Sequence, residues 1–257
     1  MLRNIFRYGD KFIFVRVKIR IKPLLATSEN LPDMSNIFNS SIGKKLMMAL
    51  AGLFLVVFLL VHLGINLTLI LFHDTRIFNI AAHFMATNIV IKVFEVVLFA
   101  GILLHIIYGL ILQIMNWLAR GKRYRVGNYA QTSFFSKFMI HTAAVVLVFL
   151  VIHLLDFYIR AKFVHGYVEE VMYNGKNYHD LGSLVLEKFR ILWVDIFYIA
   201  CILFLGFHLI HGFQSAFQTL GLNHKVYTPW IKGIGLVYTL VVVAGFSIIP
   251  VVVYFTR

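Results

Sequence analysis

Five histidines sit inside uninterrupted apolar runs: His62 in FLLVHLGIN, His105 in AGILLHIIYGLIL, His153 in VFLVIHLLD, and His208 and His211 in FLGFHLIHG. An ionisable side chain among such neighbours is costly and marks function by default. One buried imidazole is explained by a hydrogen bond between helices. Four runs each carrying one are not, because packing needs no imidazole on each of four neighbouring segments. Facing pairs of imidazoles suit haem iron, which takes axial ligands from opposite sides of the macrocycle. Two helices opposed in a bundle core can supply one each. Four runs then make two haems. Zinc would ask for a tighter cluster with a carboxylate or water, and a proton relay for carboxylates beside the histidines. His73, His83, His165, His179 and His224 fall at run ends or in loops, where an imidazole needs no function.

The segments that position these histidines are set by composition. The chain has 257 residues, 60% of them hydrophobic and 14% charged, against roughly 25% charged in soluble domains. Five stretches hold no Asp, Glu, Lys or Arg: Leu46–Phe72, Val96–Ala119, Phe138–Leu155, Ile196–His224 and Gly233–Thr256. A bilayer crossing takes about 20 apolar residues, and backbone groups in lipid must be paired internally, which makes such runs helices. The fold class expected is an all-α membrane protein with five transmembrane helices, over about 46–72, 90–119, 138–159, 191–221 and 233–256. Core helices of a soluble protein are rarely so long and so uniformly apolar.

Charge sets an expected orientation. Arg120, Lys122, Arg123, Arg125 and Lys137 crowd the link between spans two and three with no acid among them, and Lys44, Lys45, Lys225 and Lys232 fall on the same side. The opposite loops are mixed: Arg76 and Lys92 share theirs with Asp74 and Glu95, and residues 156–190 hold five acids and five bases. The positive-inside rule puts the N-terminus in the cytoplasm. The formal net charge of +13 is mostly this topology signal; it suits an acidic partner on the cytoplasmic face and gives no reason to expect nucleic acid. Residues 1–33 are basic and lack the apolar core and cleavage site of a secretory signal. Met34 opens MSNIFNSSIGKKLMMALAGLF like a natural start, so domain one, 1–33, is expected to be a mis-assigned or mobile extension of domain two, 34–257. Cys201 is the lone cysteine, which excludes a disulfide framework and a thiol metal site within the chain. Residues 160–190 are expected to form a short polar and aromatic lid with some helix and turns at 174–177 and 182–183.

Counting from charged residues at the outer side, His62 stands 12 before Asp74, His153 seven before Arg160, His105 13 after Lys92, and His208 18 after Arg190. His62 with His153 would form an outer pair and His105 with His208 an inner one. His62 and His105 differ by one residue in this count, so depth alone leaves the partner choice open. Gly101 and Gly109 lie four residues either side of His105, and Gly212 four after His208; a flat macrocycle or a close helix contact would each use the missing side chains.

Beyond these features, SIGKKLMMALAGLFLVVFLLVHLGINL, FNIAAHFMATN, LLHIIYGLILQ and FHLIHGFQSAFQTLG resemble the cytochrome b membrane subunit of succinate:quinone oxidoreductases (succinate dehydrogenase/fumarate reductase), in its single-chain, five-helix, two-haem class. The similarity runs from about Asn36 to the end. It implies axial ligands His62 and His153 for the outer haem, and His105 and His208 for the inner one. His208 is selected over His211 because the family's ligand stands four residues before the glycine. His83 belongs to a recurrent family motif and is not an axial ligand. The resemblance also implies two haem b as cofactors and membrane quinone as substrate, with menaquinone the expected type. It likewise implies partner flavoprotein and iron–sulfur subunits docked on the cytoplasmic face of a bacterial inner membrane, and allows a dimer of the heterotrimer. Dicarboxylate chemistry belongs to the flavoprotein; one cysteine cannot hold an iron–sulfur cluster here. Moving a charge through the membrane potential is worth about 2.3 kcal/mol per 100 mV, so two stacked haems let the field help or oppose quinone reduction.

Quinone chemistry needs a proton donor or acceptor near a haem. Glu95, at the outer start of span two, and Asp156, three residues after His153, are the candidates; a plain interfacial ion pair with a base such as Lys92 or Arg160 is the competing role of each. Ser41, Lys44, Lys45, His141 and His211 are candidate contacts for haem propionates by depth, against snorkelling and capping roles. A dihaem cytochrome b of a nitrate reductase or hydrogenase is an alternative that FNIAAHFM and FQSAFQTLG argue against. A proton-coupled transporter with a histidine path is another.

Overall fold

The computed structural model describes residues 5–8, 11–14, 40–72, 74–119 and 138–256. The chain divides into two units, Met1–Ile37 and Phe38–Arg257. In the first, β1 (Ile5–Tyr8) pairs antiparallel with β2 (Lys11–Phe14). The basic cluster Arg120, Lys122, Arg123, Arg125 and Lys137, and His73, lie outside the described residues.

The second unit is a bundle of five transmembrane helices: Ser41–Leu71, Ile89–Leu118, Met139–Phe163, Leu192–Thr219 and Tyr227–Thr256 are each long and apolar enough to cross a membrane. Helix α1 (Ser41–Leu71) starts where Ser40 accepts a hydrogen bond from the Gly43 amide at 2.9 Å, the N-cap role expected of serine. The cap is thus Ser40, not Ser41. Helix α2 (Arg76–Thr87) is a short amphipathic element absent from the sequence reading, whose uncharged-run criterion passes over a 12-residue helix. Asn88 closes α2 and opens α3 (Ile89–Ala119), its Oδ1 accepting from the amides of Val90 and Ile91. The third span is α4 (Met139–His153), a π-helical segment over Leu154–Ile159 and a last turn, α5 (Arg160–Phe163). It therefore runs four residues past the expected end at 159.

Residues 164–190 hold a hairpin in addition to the helix expected there. Strands β3 (Glu170–Tyr173) and β4 (Lys176–His179) form a hairpin. Its two-residue loop is Asn174–Gly175, both with positive φ, at 52° and 77°, as a type I′ turn demands. The expected turn at 182–183 is instead the first turn of α6 (Leu181–Lys188), N-capped by Asp180, which accepts from the Ser183 amide at 3.2 Å. Spans four and five are α7 (Leu192–Thr219) and α8 (Tyr227–Thr256).

Helix α7 packs against α8, α1 and α4, and α1 against α3 and α8. Large apolar side chains point outward along the spans, including Val57, Val96, Leu118, Trp230 and Phe255. In water that surface would be prohibitive; in lipid it is neutral. At the end of the bundle where α1 finishes and α7 begins, α2, the hairpin and α6 form a cap. Leu69, Phe78, Val185, Leu186, Phe189, Val194, Tyr198, Ile249 and Val253 make one buried cluster that joins cap to bundle.

Asn79 on α2 fastens the cap and is fully buried. Its Nδ2 donates to Asp180 Oδ1 at 2.7 Å, to Tyr173 Oη at 3.2 Å and to Thr75 Oγ1 at 3.3 Å, and its Oδ1 accepts from the Gly182 amide at 2.8 Å. On the same helix Arg76 lies over the Tyr173 ring at 5.7 Å, and the His83 ring meets Tyr178 edge-on at 4.9 Å. The FNIAAHFM segment thus does its work at the cap.

Burial would push the Asp180 carboxyl up, but donors from Asn79, Ser183 and Thr75 outweigh it and hold the group below its ordinary value of 3.8. A carboxyl whose folded value is depressed contributes stability above its unfolded value and loses it as pH falls through the folded one. Amide exchange in residues 170–188 is accordingly expected to accelerate as pH drops below about 4, after correction for intrinsic rates. An Asp180→Asn variant should lack that acid step.

Candidate functional site

The four deep histidines meet as two pairs. His62 on α1 faces His153 on α4, with ring centroids 5.8 Å apart and planes at 86°. His105 on α3 faces His208 on α7, at 6.0 Å and 75°. The helices of each pair are diagonal in the bundle: neither α1 with α4 nor α3 with α7 is among the closely packed pairs, whereas α1–α3, α1–α7 and α4–α7 are. The rings therefore reach toward each other across a space the backbones leave between them.

The two pairs lie at different depths. His62 is nine residues from Leu71 and His153 ten from Phe163, while His105 is 16 from Ile89 and His208 16 from Leu192. At 1.5 Å per residue the second pair is about 10 Å further from the cap. Counting from helix ends widens the one-residue margin obtained from charged residues, because those charges do not mark the ends: Lys92 lies within α3 and Asp74 beyond α1.

Their surroundings differ too. The cap-side pair is walled by aromatic rings: Phe58 stacks on His62 at 5.3 Å with Phe246 at 5.6 Å, and Phe157, Phe149 and Tyr198 lie within 6.3 Å of His153. One turn past His62, the Asn66 amide lies 3.4 Å from its Nδ1 and donates to its carbonyl at 2.8 Å. Asn66 thus orients the imidazole, a role the HLGIN segment carries four residues after the histidine. At the deeper pair, a Cβ at Gly52 would stand 3.4 Å from His105 Cε1, so glycine lets α1 pass close to that ring.

The donor set fits a metal held between two imidazoles. An imidazole–metal bond is about 2 Å, so two rings on opposite sides of one ion have centroids about 6 Å apart once the rings' own radii are added. Nδ1 of His105, His153 and His208 is buried and has no hydrogen-bond partner, a state that buried polar atoms rarely keep. Of the three glycines singled out, Gly109 and Gly212 have no atom within 4 Å of a would-be Cβ, room that a flat ring could use; Gly101 instead admits Phe54 of α1, at 3.3 Å. Among the described residues no group of three or more His, Cys, Asp or Glu could hold a metal ion. No protein-family model matches this chain, and neither a curated protein nor a solved structure matches it.

The remaining candidates separate by position. Asp156, within the π segment, accepts from Lys188 at 2.7 Å on Oδ1 and from Tyr198 at 3.1 Å on Oδ2. Both oxygens are committed, and the group ties α6 to the membrane helices. Glu95 accepts from Lys162 and Tyr158. Each carboxylate is in an ion pair, with Lys188 and Lys162 rather than Arg160 and Lys92. Arg160 donates to Tyr167 Oη at 2.6 Å instead. Lys44, Lys45 and the exposed Ser41 lie in the first turns of α1, at the end away from the cap. There too lies the exposed His141, its ring 5.9 Å from Phe138. His211 is half-buried one turn beyond His208. Asp195, in the first turn of α7, is a further buried polar group, 3% exposed with no hydrogen-bond partner for either carboxylate oxygen. Asn66, Tyr158 and Lys162 also join the site only in the fold. Of these only Asn66 carried a sequence signal, its spacing of four from His62.

Proposed function

We infer that this chain is the membrane anchor and electron-carrying cytochrome b subunit of a succinate:quinone oxidoreductase, in a bacterial cytoplasmic membrane. The observation that carries the reading is the meeting of four deep histidines as two diagonal pairs at two depths. His62 and His153 would hold one b haem and His105 and His208 the other. Bound there, each haem supplies a one-electron couple. The chain's own residues set the rest. The imidazoles fix the two sites along the membrane normal, Asn66 sets the ring of His62, and Phe58, Phe149, Phe157 and Phe246 keep water from the cap-side pair. The end away from the cap is the cytoplasmic one, by the positive-inside rule applied to the 120–137 link, and takes the iron–sulfur and flavoprotein subunits. Quinone reacts near the cap-side pair, and the resemblance of the histidine-bearing motifs to the dihaem family supports succinate and fumarate as the partner's substrates.

The test is a reduced-minus-oxidised optical spectrum and haem count on the full-length chain, made in cells amply supplied with haem. Two b haems per chain are expected; a colourless chain overturns the reading and favours the transporter. Affinity purification from native membranes is expected to bring a covalent or tightly bound flavin and iron–sulfur protein with succinate-oxidising activity. Molybdenum or nickel partners would move the chain to the nitrate reductase or hydrogenase type.

A further inference from the structure

Helix α2 has two faces in two different surroundings. On one, Phe78 and Asn79 are buried in the cap and the His83 ring meets Tyr178. On the other, Ile77, Ile80 and Phe84 form an exposed apolar stripe; their spacing of three and four residues is that of one helical face. The stripe begins where α1 ends, at the exposed Leu71 and Phe72, so it continues the lipid-facing surface of that span. A helix divided in this way belongs in the plane of the lipid headgroups.

Between the end of α1 and the start of α2 lies a cavity of about 410 Å³, lined by Phe72, Ile77, Ile80, Asp74 and Arg76. Three of these five are apolar, and the other two bring one charge of each sign. Asp74 Oδ1 accepts from the Arg76 amide at 3.0 Å, and the Arg76 guanidinium lies over the Tyr173 ring. The two charged side chains form no ion pair with each other, nor with another side chain among the described residues. Both charges are therefore available to a ligand that carries the opposite pair.

We propose that this cavity binds the headgroup of phosphatidylethanolamine, its phosphate on Arg76, its ammonium on Asp74 and its acyl chains along the apolar faces of α1 and α2. Charge complementarity selects the occupant. An anionic phosphatidylglycerol would satisfy Arg76 and set its phosphate beside an unrelieved Asp74. Phosphatidylcholine carries a cation with no N–H to give. A primary ammonium neutralises Asp74 and donates to it, which makes the stronger, charge-assisted bond. The site uses none of the paired histidines, so it stands or falls apart from the redox function proposed above.

The test is native mass spectrometry of the purified full-length chain in detergent, titrated with dioleoyl phosphatidylethanolamine, phosphatidylcholine or phosphatidylglycerol. The first is expected to bind about tenfold tighter than either of the others. Asp74→Asn keeps an oxygen for the Arg76 amide and should bring phosphatidylethanolamine and phosphatidylcholine within about twofold of each other. Arg76→Gln should weaken all three lipids about tenfold. If Arg76→Gln also loosens the cap through Tyr173, Asp74→Asn stays readable by itself. Equal binding of the three lipids, a preference for phosphatidylglycerol, a preference unchanged in Asp74→Asn, or a dimer of the chain in place of lipid adducts each overturns the proposal.

Discussion

Alanine in place of His153 is expected to lower the haem content from two per chain to one, and alanine in place of His62 to give the same single haem. The double variant should lose nothing more. The reason is geometric: the two rings face one another at 5.8 Å from diagonal helices, so on the proposed function they would share one haem, and removing either imidazole would release it. His62→Ala combined with His105→Ala, by contrast, strikes both pairs and should leave the chain colourless. His211→Ala should keep both haems, since the ring that faces His105 is that of His208. Haem stoichiometry by alkaline pyridine spectrum, on variants whose helix content matches wild type, reads the outcome directly. Two haems retained in the His62/His153 double variant would sink the pairing, whatever the other variants do. The surviving haem in each series should also differ, because the cap-side pair is boxed by aromatic rings and lies about 10 Å nearer the cap, so the single-haem variants are expected to separate into two spectral classes.

Much of this arrangement was legible in the sequence, for a physical reason. Lipid forbids unpaired backbone groups and tolerates few charges, so spans announce themselves as uncharged runs, and a histidine within one stands out. What the runs do not mark is where helices end. Helix α1 begins at Ser41 and takes in Lys44 and Lys45, α3 takes in Lys92 and Glu95, and α4 continues through a π segment to Phe163. Charges at span ends snorkel and belong to the helix, which is why depth counted from them left the pairing open. The partners of Asp156 and Glu95 were not legible either. Lys188 comes to Asp156 only because α6 folds back over the bundle, and Lys162 comes to Glu95 only because α4 and α5 run continuously past the expected boundary. The cap shows the opposite failure. Its Asn174–Gly175 turn was visible as a turn, but the strands on either side are four residues long and too polar to signal themselves. The FNIAAHFM motif pointed to His83, while the buried member that binds the cap together is Asn79.

That assignment gives the second large effect. Asn79→Ala is expected to destabilise the cap by about 2–4 kcal/mol. The loss exceeds one hydrogen bond because the amide works in both directions. Its nitrogen serves Asp180, Tyr173 and Thr75, and its oxygen takes the amide of Gly182. Alanine would strand that N–H at a buried site and remove one of the two closest donors to the Asp180 carboxylate, the other being Ser183 Oγ, while burying nothing in exchange. Asn79→Asp should be no better, since it sets a second carboxylate against Asp180. Gly182→Ala damages the same joint by a different route: the new Cβ would stand 2.5 Å from Thr75 Cβ, and something must move. Two lesions in one contact do not add, so the double variant is expected to be little worse than the more damaging single one. Because the cap is one cooperative patch on a larger bundle, the readout that isolates it is limited proteolysis or amide exchange in residues 164–190. In that segment Asn79→Ala should raise the opening population about 30-fold or more, while exchange along α7 and α8 stays near wild type. Protection of the hairpin unchanged in Asn79→Ala would show that the buried aromatic and aliphatic cluster, and not the amide, holds the cap to the membrane helices.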